Sequence, residues 1–254
     1  MQRQRQILKS IRIVQIIDIS CDFERTGCAW IEGSAGTGKT AFCRNILTNI
    51  VARYGTAFDF YICDTSGGDY GNIAEELHIP GPDAEYGPGL RFLSGPSEAL
   101  RLLEEEISER WQRLLQAEKT RPWAKRITWA DFLWNRVFFV FDRYEPKRWS
   151  DEEKDRLLQS LRTLYRFCDR LGVHMIAVTS APSESRAGDL MRLESKARIC
   201  MRTPTPFNYV ENDYWDINER ARAKTLGIGE FIYSMPGQSG KGSFTAAGSG
   251  EQIK

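Results

Sequence analysis

The chain of 254 residues is 41% hydrophobic and 27% charged, and its 35 basic and 34 acidic residues leave a net charge of +1. That length supplies one large α/β domain with its own core and is short for two, and the balanced charge argues against a free-standing, strongly basic DNA binder. No apolar run approaches the ~20 residues of a membrane helix and Met1-Gln2-Arg3-Gln4-Arg5 does not open a signal peptide, so no direct membrane contact is expected from this segment.

Ile11 to Ile19 is rich in β-branched residues and predicts a strand. Cys28 to Glu32 predicts a short strand ending on Gly33, followed by a helix from about Lys39 to Arg53 with Phe42, Ile46, Leu47 and Ile50 on one face. Phe58 to Cys63 reads as a buried strand that ends at Asp64, before the turn Thr65-Ser66-Gly67-Gly68. Residues 79–96, dense in proline and glycine, read as mostly loop. Ser97 is then expected to cap a long helix carrying Leu100, Leu103, Ile107, Trp111 and Leu114 on one stripe.

The continuous apolar run Val137 to Phe141 predicts a central parallel strand buried on both faces. Ser150-Asp151-Glu152-Glu153 is a capping box opening a helix to about Arg170, and Met175–Thr179 and Arg198–Arg202 read as further strands. Glu230–Ser234 and Ser243–Ala246 are expected to form a terminal hairpin, with Gly237-Gln238-Ser239-Gly240-Lys241-Gly242 as its turn and a frayed tail beyond. Strands alternating with helices at this spacing need crossover connections, hence a single α/β domain with a mostly parallel sheet and helices on both faces, its core at about residues 11–246. The six cysteines are scattered, with no C-x-x-C and only two histidines, which disfavours zinc and points to reduced thiols in a cytoplasmic domain.

One motif carries chemistry. Gly33-Ser34-Ala35-Gly36-Thr37-Gly38-Lys39-Thr40 fits G-x-x-x-x-G-K-[ST] and lies between a predicted strand and a predicted amphipathic helix. Glycines let the backbone curl until several N–H groups face one oxyanion, and the helix that follows adds the positive end of its dipole. In such a loop Lys39 reaches the β and γ phosphates of a nucleoside triphosphate and the Thr40 hydroxyl ligates Mg²⁺. The magnesium shell needs a second carboxylate at the end of a buried strand. Asp142 fits, with Asp64 as a rival whose place on the strand after the P-loop helix suits shaping the site more than holding metal.

Further segments resemble the FtsK/SpoIIIE branch of P-loop motor ATPases, in that family's order. They are Phe60 to Gly68, the acidic helix around Glu105-Glu106-Ile107-Ser108-Glu109-Arg110, and Arg170 to Pro182, where Gly172, His174, Thr179 and Pro182 match a sensor strand. Asp142-Arg143-Tyr144-Glu145 is similar to the D-x-Y-E of C-terminal ATPase modules of type VII secretion motors, EssC or EccC. The resemblance implies a RecA-like fold and ATP with Mg²⁺ as ligands. It also implies, as partners, sister ATPase modules of one motor and small helical secreted proteins, on the cytoplasmic part of a membrane-anchored machine.

The departures matter equally. Active members carry Glu where this chain has Arg143, and the sensor Gln aligns with Ser180, the Arg after it with Ala181. The resemblance therefore implies a module that holds ATP through Gly33–Thr40, Asp142 and Ser180 but hydrolyses it weakly or not at all, with Glu145 the one substitute base in reach of a sharp turn. The alternative is an active DNA translocase or packaging ATPase of the same superfamily. His174, at a strand entry, reads as structural. Trp123, Trp129, Trp134 and Trp149 with the basic residues between them read equally as a partner surface or as satellite packing, and nucleic acid is disfavoured by the near-neutral charge. Arg198 resembles a family arginine of the strand after the sensor.

Overall fold

The computed structural model describes residues 27–54, 58–64, 70, 72–73, 89–121, 123–124, 126–142, 149–180, 195–203, 222–235 and 238–243. The elements are β1 (Cys28–Glu32), α1 (Lys39–Tyr54), β2 (Phe58–Asp64), β3 (Gly89–Phe92), α2 (Pro96–Thr120), a 3₁₀ turn (Trp129–Phe132), β4 (Arg136–Asp142), α3 (Asp151–Leu171), β5 (Val173–Thr179), β6 (Ala197–Met201), β7 (Glu230–Met235) and β8 (Gln238–Ser243). The strands form one sheet in the order β3-β2-β4-β5-β1-β6-β7-β8. All pairings from β3 through β6 are parallel, and β7 and β8 extend the sheet antiparallel.

Successive side chains of a strand point to opposite faces, so each parallel strand supplies two cores. On one face Phe42, Leu47 and Ile50 of α1 meet Phe60, Ile62, Phe138, Val140, Ile176 and Val178. On the other, Leu100, Leu103, Leu157, Leu161 and Leu164 of α2 and α3 cover Val137, Phe139, Phe141, Met175 and Ala177. Every residue of β4 is buried, as its continuous apolar run requires. The helices of the second face are also tied by charge: Arg156 pairs with Glu104, Arg170 with Glu118, and buried Arg110 donates through Nη1 to the Leu171 carbonyl at 2.9 Å. The capping box at Ser150 and Glu153 opens α3 as the sequence predicts.

Three expectations are corrected. Within 79–96 the segment Gly89–Phe92 is a strand, because Leu90 reaches the core and Asp59 accepts the Gly89 N–H at 2.8 Å, which sets the register against β2. Ser97 does not cap α2: the helix starts at Pro96 after Gly95 with no side-chain cap, and the Ser97 hydroxyl donates instead to Glu153 of α3. Pro96 explains this, since its fixed φ suits the first helical position and its missing N–H needs no cap. Finally, Gln238–Ser243 is not a turn but β8 itself. A Cβ on Gly242 would fall 2.5 Å from the Phe231 ring, so glycine here lets the aromatic ring of β7 lie across the neighbouring strand. The expected strand Ile11–Ile19 and turn Thr65–Gly68 lie outside the described residues, as do positions 244–246.

Gly172 closes α3 in the left-handed conformation (φ 65°), donating its N–H to the Cys168 carbonyl at 2.8 Å, and the chain reverses at once into β5. A Cβ at this position would sit 2.5 Å from Trp129 Cγ. Left-handed strain and overpacking act together, so Gly172→Ala is expected to lose about 3 kcal/mol of stability in denaturant melts.

Candidate functional site

The carboxyl ends of the parallel strands converge on one edge of the sheet, where α/β folds bind ligands. The register sets Glu32 opposite Thr179 and Asp64 opposite Asp142, so Gly33, Ser180 and Asp142 follow or end neighbouring strands. Asp64 and Asp142 continue the alternation of Ile62 and Val140, which places both carboxylates on the α1 face.

The loop after β1 is strongly curved, with Gly36 and Gly38 at φ 74° and 96°. Gly33 passes so close to β6 that a Cβ would meet Met201 Cβ at 2.8 Å. The Ser34 N–H donates to the Arg202 carbonyl at 2.9 Å, which anchors the loop to the end of β6. The Ser34 carbonyl accepts from the Thr37 hydroxyl at 2.8 Å and from Lys39 Nζ at 2.7 Å, folding the ammonium back over the loop. Ala35 and Gly36 at the tip are exposed, whereas Thr37 and Lys39 are buried. The Gly38 carbonyl then takes the Phe42 N–H at 2.8 Å and begins α1.

From the first turn of α1 the Thr40 hydroxyl donates to Asp142 Oδ2 at 2.8 Å. A hydroxyl and a carboxylate are hard oxygen donors, and Mg²⁺ is usually held by one or two such protein groups together with phosphate oxygens. Among the described residues no three His, Cys, Asp or Glu side chains gather around a point. The donor set fits Mg²⁺ brought in with a nucleotide.

Two further residues lie beside Asp142. Cys43, three residues after Thr40 and so on the same side of α1, is fully buried beside Asp142; desolvation and that carboxylate push its thiol up to about 12. Tyr70 is 1% exposed, and burial, then Cys43 and Asp142, raise its phenol well above the usual range. Cys43 is legible as a core position of α1, but nothing in Asp69-Tyr70-Gly71-Asn72 marks Tyr70 as a neighbour of Asp142.

Solved structures that superpose on this fold include ATPase domains and a packaging NTPase. EssC (ATPases 2 and 3) from Geobacillus thermodenitrificans superposes with a TM-score of 0.63 at 16% identity, over 91% of this chain and 41% of that one. The pCW3 conjugation coupling protein TcpA, a monomer with ATPγS, gives 0.61 at 17% identity over 87% of this chain and 61% of that one. The genome packaging NTPase B204 from Sulfolobus turreted icosahedral virus 2, in complex with ATPγS, gives 0.53 at 10% identity over 86% and 98%. The fold is that of a P-loop NTPase domain. This chain spans less than two thirds of the EssC and TcpA chains. No protein-family model matches the sequence, and no curated protein does.

Within this fold, Gly33–Thr40 is the loop between β1 and α1, and Asp142 ends β4 against Thr40. Ser180 is exposed directly after β5, and the register of Thr179 with Glu32 brings it beside Gly33. Arg143, Tyr144, Glu145, Ala181 and Pro182 lie outside the described residues. His174 is buried at the opposite end of β5, stacked on Phe138 with ring centroids 4.9 Å apart, in keeping with a structural role. Arg198 is buried near the start of β6 beside Trp30, away from the carboxyl edge.

The tryptophans divide. Trp149 packs on Phe141, Trp134 stacks on Phe132 under Arg110 and Arg113, and Trp129 lies under Arg136, all satellite packing. Trp123 alone of the four is largely exposed, at 79%. No described helix is long and apolar enough to cross a membrane.

A thiol pushed from 9.0 to about 12 is almost never ionised near neutrality, and the thiolate is the reactive form. Iodoacetamide at pH 8 is expected to label Cys43 at least ~100-fold more slowly in the folded protein than in the denatured chain, read by peptide mass spectrometry.

Proposed function

We propose that this chain is an ATP-binding module of a type VII secretion motor. In this reading Gly33, Ser34, Ala35, Gly36, Thr37, Gly38 and Lys39 hold the phosphates, Thr40 and Asp142 hold Mg²⁺, and Ser180 faces the γ-phosphate end. The observation that carries the reading is the Thr40–Asp142 hydrogen bond beside the curled loop, which brings a P-loop hydroxyl and a strand-end carboxylate into contact across the sheet. Bound Mg²⁺ would supply charge neutralisation on the phosphates; the chain's own groups grip and orient them. Hydrolysis asks for more, namely a group that orients or deprotonates water. Arg143 and Ser180 stand at the two places where the resembling family puts such groups, so ATP is held here with slow or no turnover.

Binding without turnover still does work when the ligand prefers one conformation. In a motor of linked modules it would fix one module against its sisters and set their activity, on the cytoplasmic side, with small helical secreted proteins as the cargo in reach of the assembly. The reading as a DNA translocase or packaging motor rests on the likeness in fold to B204, whose whole length this chain nearly covers. DNA-stimulated turnover by the purified chain would favour it.

Mg²⁺-ATP at about 100 times its Kd should add about 2.7 kcal/mol to stability, and at this chain length that raises Tm by roughly 5–10 °C. Lys39→Ala should abolish the shift. A Tm that ATP leaves unmoved in the wild type would sink the reading. Arg143→Glu is expected to raise steady-state ATP hydrolysis at least tenfold over a near-zero wild type, whereas robust wild-type turnover abolished by Lys39→Ala would show that the site is not degenerate.

A further inference from the structure

The phosphate loop has two flanks of different chemistry. On the β4 side stand Thr40 and Asp142, a hydrogen-bonded pair of hard oxygen donors. On the other side the loop meets the turn that enters β7, where the Gly229 N–H donates to the Thr37 carbonyl at 3.4 Å. The residue before Gly229 is Ile228, which is 73% exposed. An exposed apolar side chain says little on its own. This one sits on a turn that is fixed from both sides. Before it, Leu226 is buried with Cys200, Ala223 and Ile232. Across it, the Gly227 N–H donates to Glu230 Oε2 at 2.6 Å and the Glu230 N–H to the Gly227 carbonyl at 3.2 Å. Lys241 of β8 pairs with Glu230 Oε1 at 2.9 Å, and Gly229 takes the left-handed φ of 78° that the bend requires. The turn therefore keeps a branched aliphatic residue at the rim of the loop, one Cα step from a loop contact.

A nucleotide has a charged end and a flat end whose faces are apolar. Thr40 and Asp142 suit the charged end and lie on the β4 side, so a molecule lying across the loop carries its base toward β6 and β7. Ligand sites pair a few placed polar groups with an apolar wall. Among the described residues Ile228 is the exposed large apolar side chain on that flank of the loop. We propose that Ile228 is a specificity-determining residue: the turn Gly227–Glu230 presents it as the platform on which the base of a bound nucleoside triphosphate rests. The inference rests on the nucleotide-binding reading and deepens it, because it separates a site for nucleotides from one that grips any polyphosphate. Glu230 closes the turn and acts through Ile228, as a positioning residue.

The test compares the full-length wild type with Ile228→Ser, which removes the apolar surface, and Ile228→Leu, which keeps it. Each is titrated by calorimetry with Mg²⁺-ATP and with Mg²⁺-tripolyphosphate, which has the phosphates but neither base nor sugar. The wild type is expected to bind ATP more tightly than tripolyphosphate. Ile228→Ser should weaken ATP about tenfold, the scale of one partly covered aliphatic side chain, and leave tripolyphosphate unmoved. Ile228→Leu should stay close to wild type for both. Ile228→Ser with wild-type affinity for ATP overturns the proposal, and so does equal weakening of both ligands, which would mean that the residue acts on the loop and not on a base. A wild type that binds tripolyphosphate as tightly as ATP overturns it too, while leaving the phosphate grip of Gly33–Thr40 intact. A wild type that binds neither removes the nucleotide-binding reading and this inference with it.

Discussion

The hydrogen bond from Thr40 to Asp142 joins residues 102 positions apart in the chain, and much of the molecule is arranged to make it. Thr40 sits in the first turn of α1, so its place depends on where that helix lies on the sheet. Asp142 ends β4, so its place depends on the register of β4 between β2 and β5. One residue of slip in that register would turn every side chain of β4 to the opposite face and carry Asp142 away from α1. Phe138 and Val140 against α1, with Phe139 and Phe141 against the other helices, resist such a slip.

The antiparallel extension serves the same end. Phe231 of β7 packs on Phe42 of α1 with ring centroids 4.8 Å apart, so the strands farthest along the chain hold the helix that carries Lys39 and Thr40. The loop itself is fastened to β6 through the Ser34 N–H, and the Gly229 N–H reaches the Thr37 carbonyl at 3.4 Å just before β7 begins. The loop is thus fixed from the side away from Asp142, leaving its tip exposed. Charge on the opposite face has a different use. Glu32, buried directly before the loop, takes the Trp30 indole N–H at 2.8 Å, and Arg110 closes the end of α3. These are buried polar groups satisfied within the scaffold rather than offered to a ligand.

What could be read from the sequence is what local chemistry determines. The P-loop, the capping box at Ser150 and the apolar run of β4 each carry their meaning within a few residues. So does Asp142, because a carboxylate that ends a fully buried strand can only lie at the sheet's edge. The misreadings are all decided by distant partners. Gly89–Phe92 becomes a strand because Asp59 and the free edge of β2 receive it, and four residues with one buried side chain give no period to detect. Ser97 is drawn to Glu153, more than fifty positions on. The glycines of β8 look like a turn until the rings of Phe231 and Tyr233 are seen to need their space. Tyr70 is the extreme case, a single aromatic residue in a polar stretch whose neighbour Asp142 is reached only through the folded sheet.

A site that held ATP without cutting it would make a physical demand on the rest of the protein. A ligand shifts a conformational equilibrium only by the difference in its affinity for the two states, however tightly it binds to either. A P-loop that held phosphates identically in every conformation would store ATP and signal nothing. Some contact has to exist in the loaded state and not in the free one, and it has to involve a part of the chain outside the loop. Gly33–Thr40 does not meet that condition alone, since its anchors to β6 and α1 are already made.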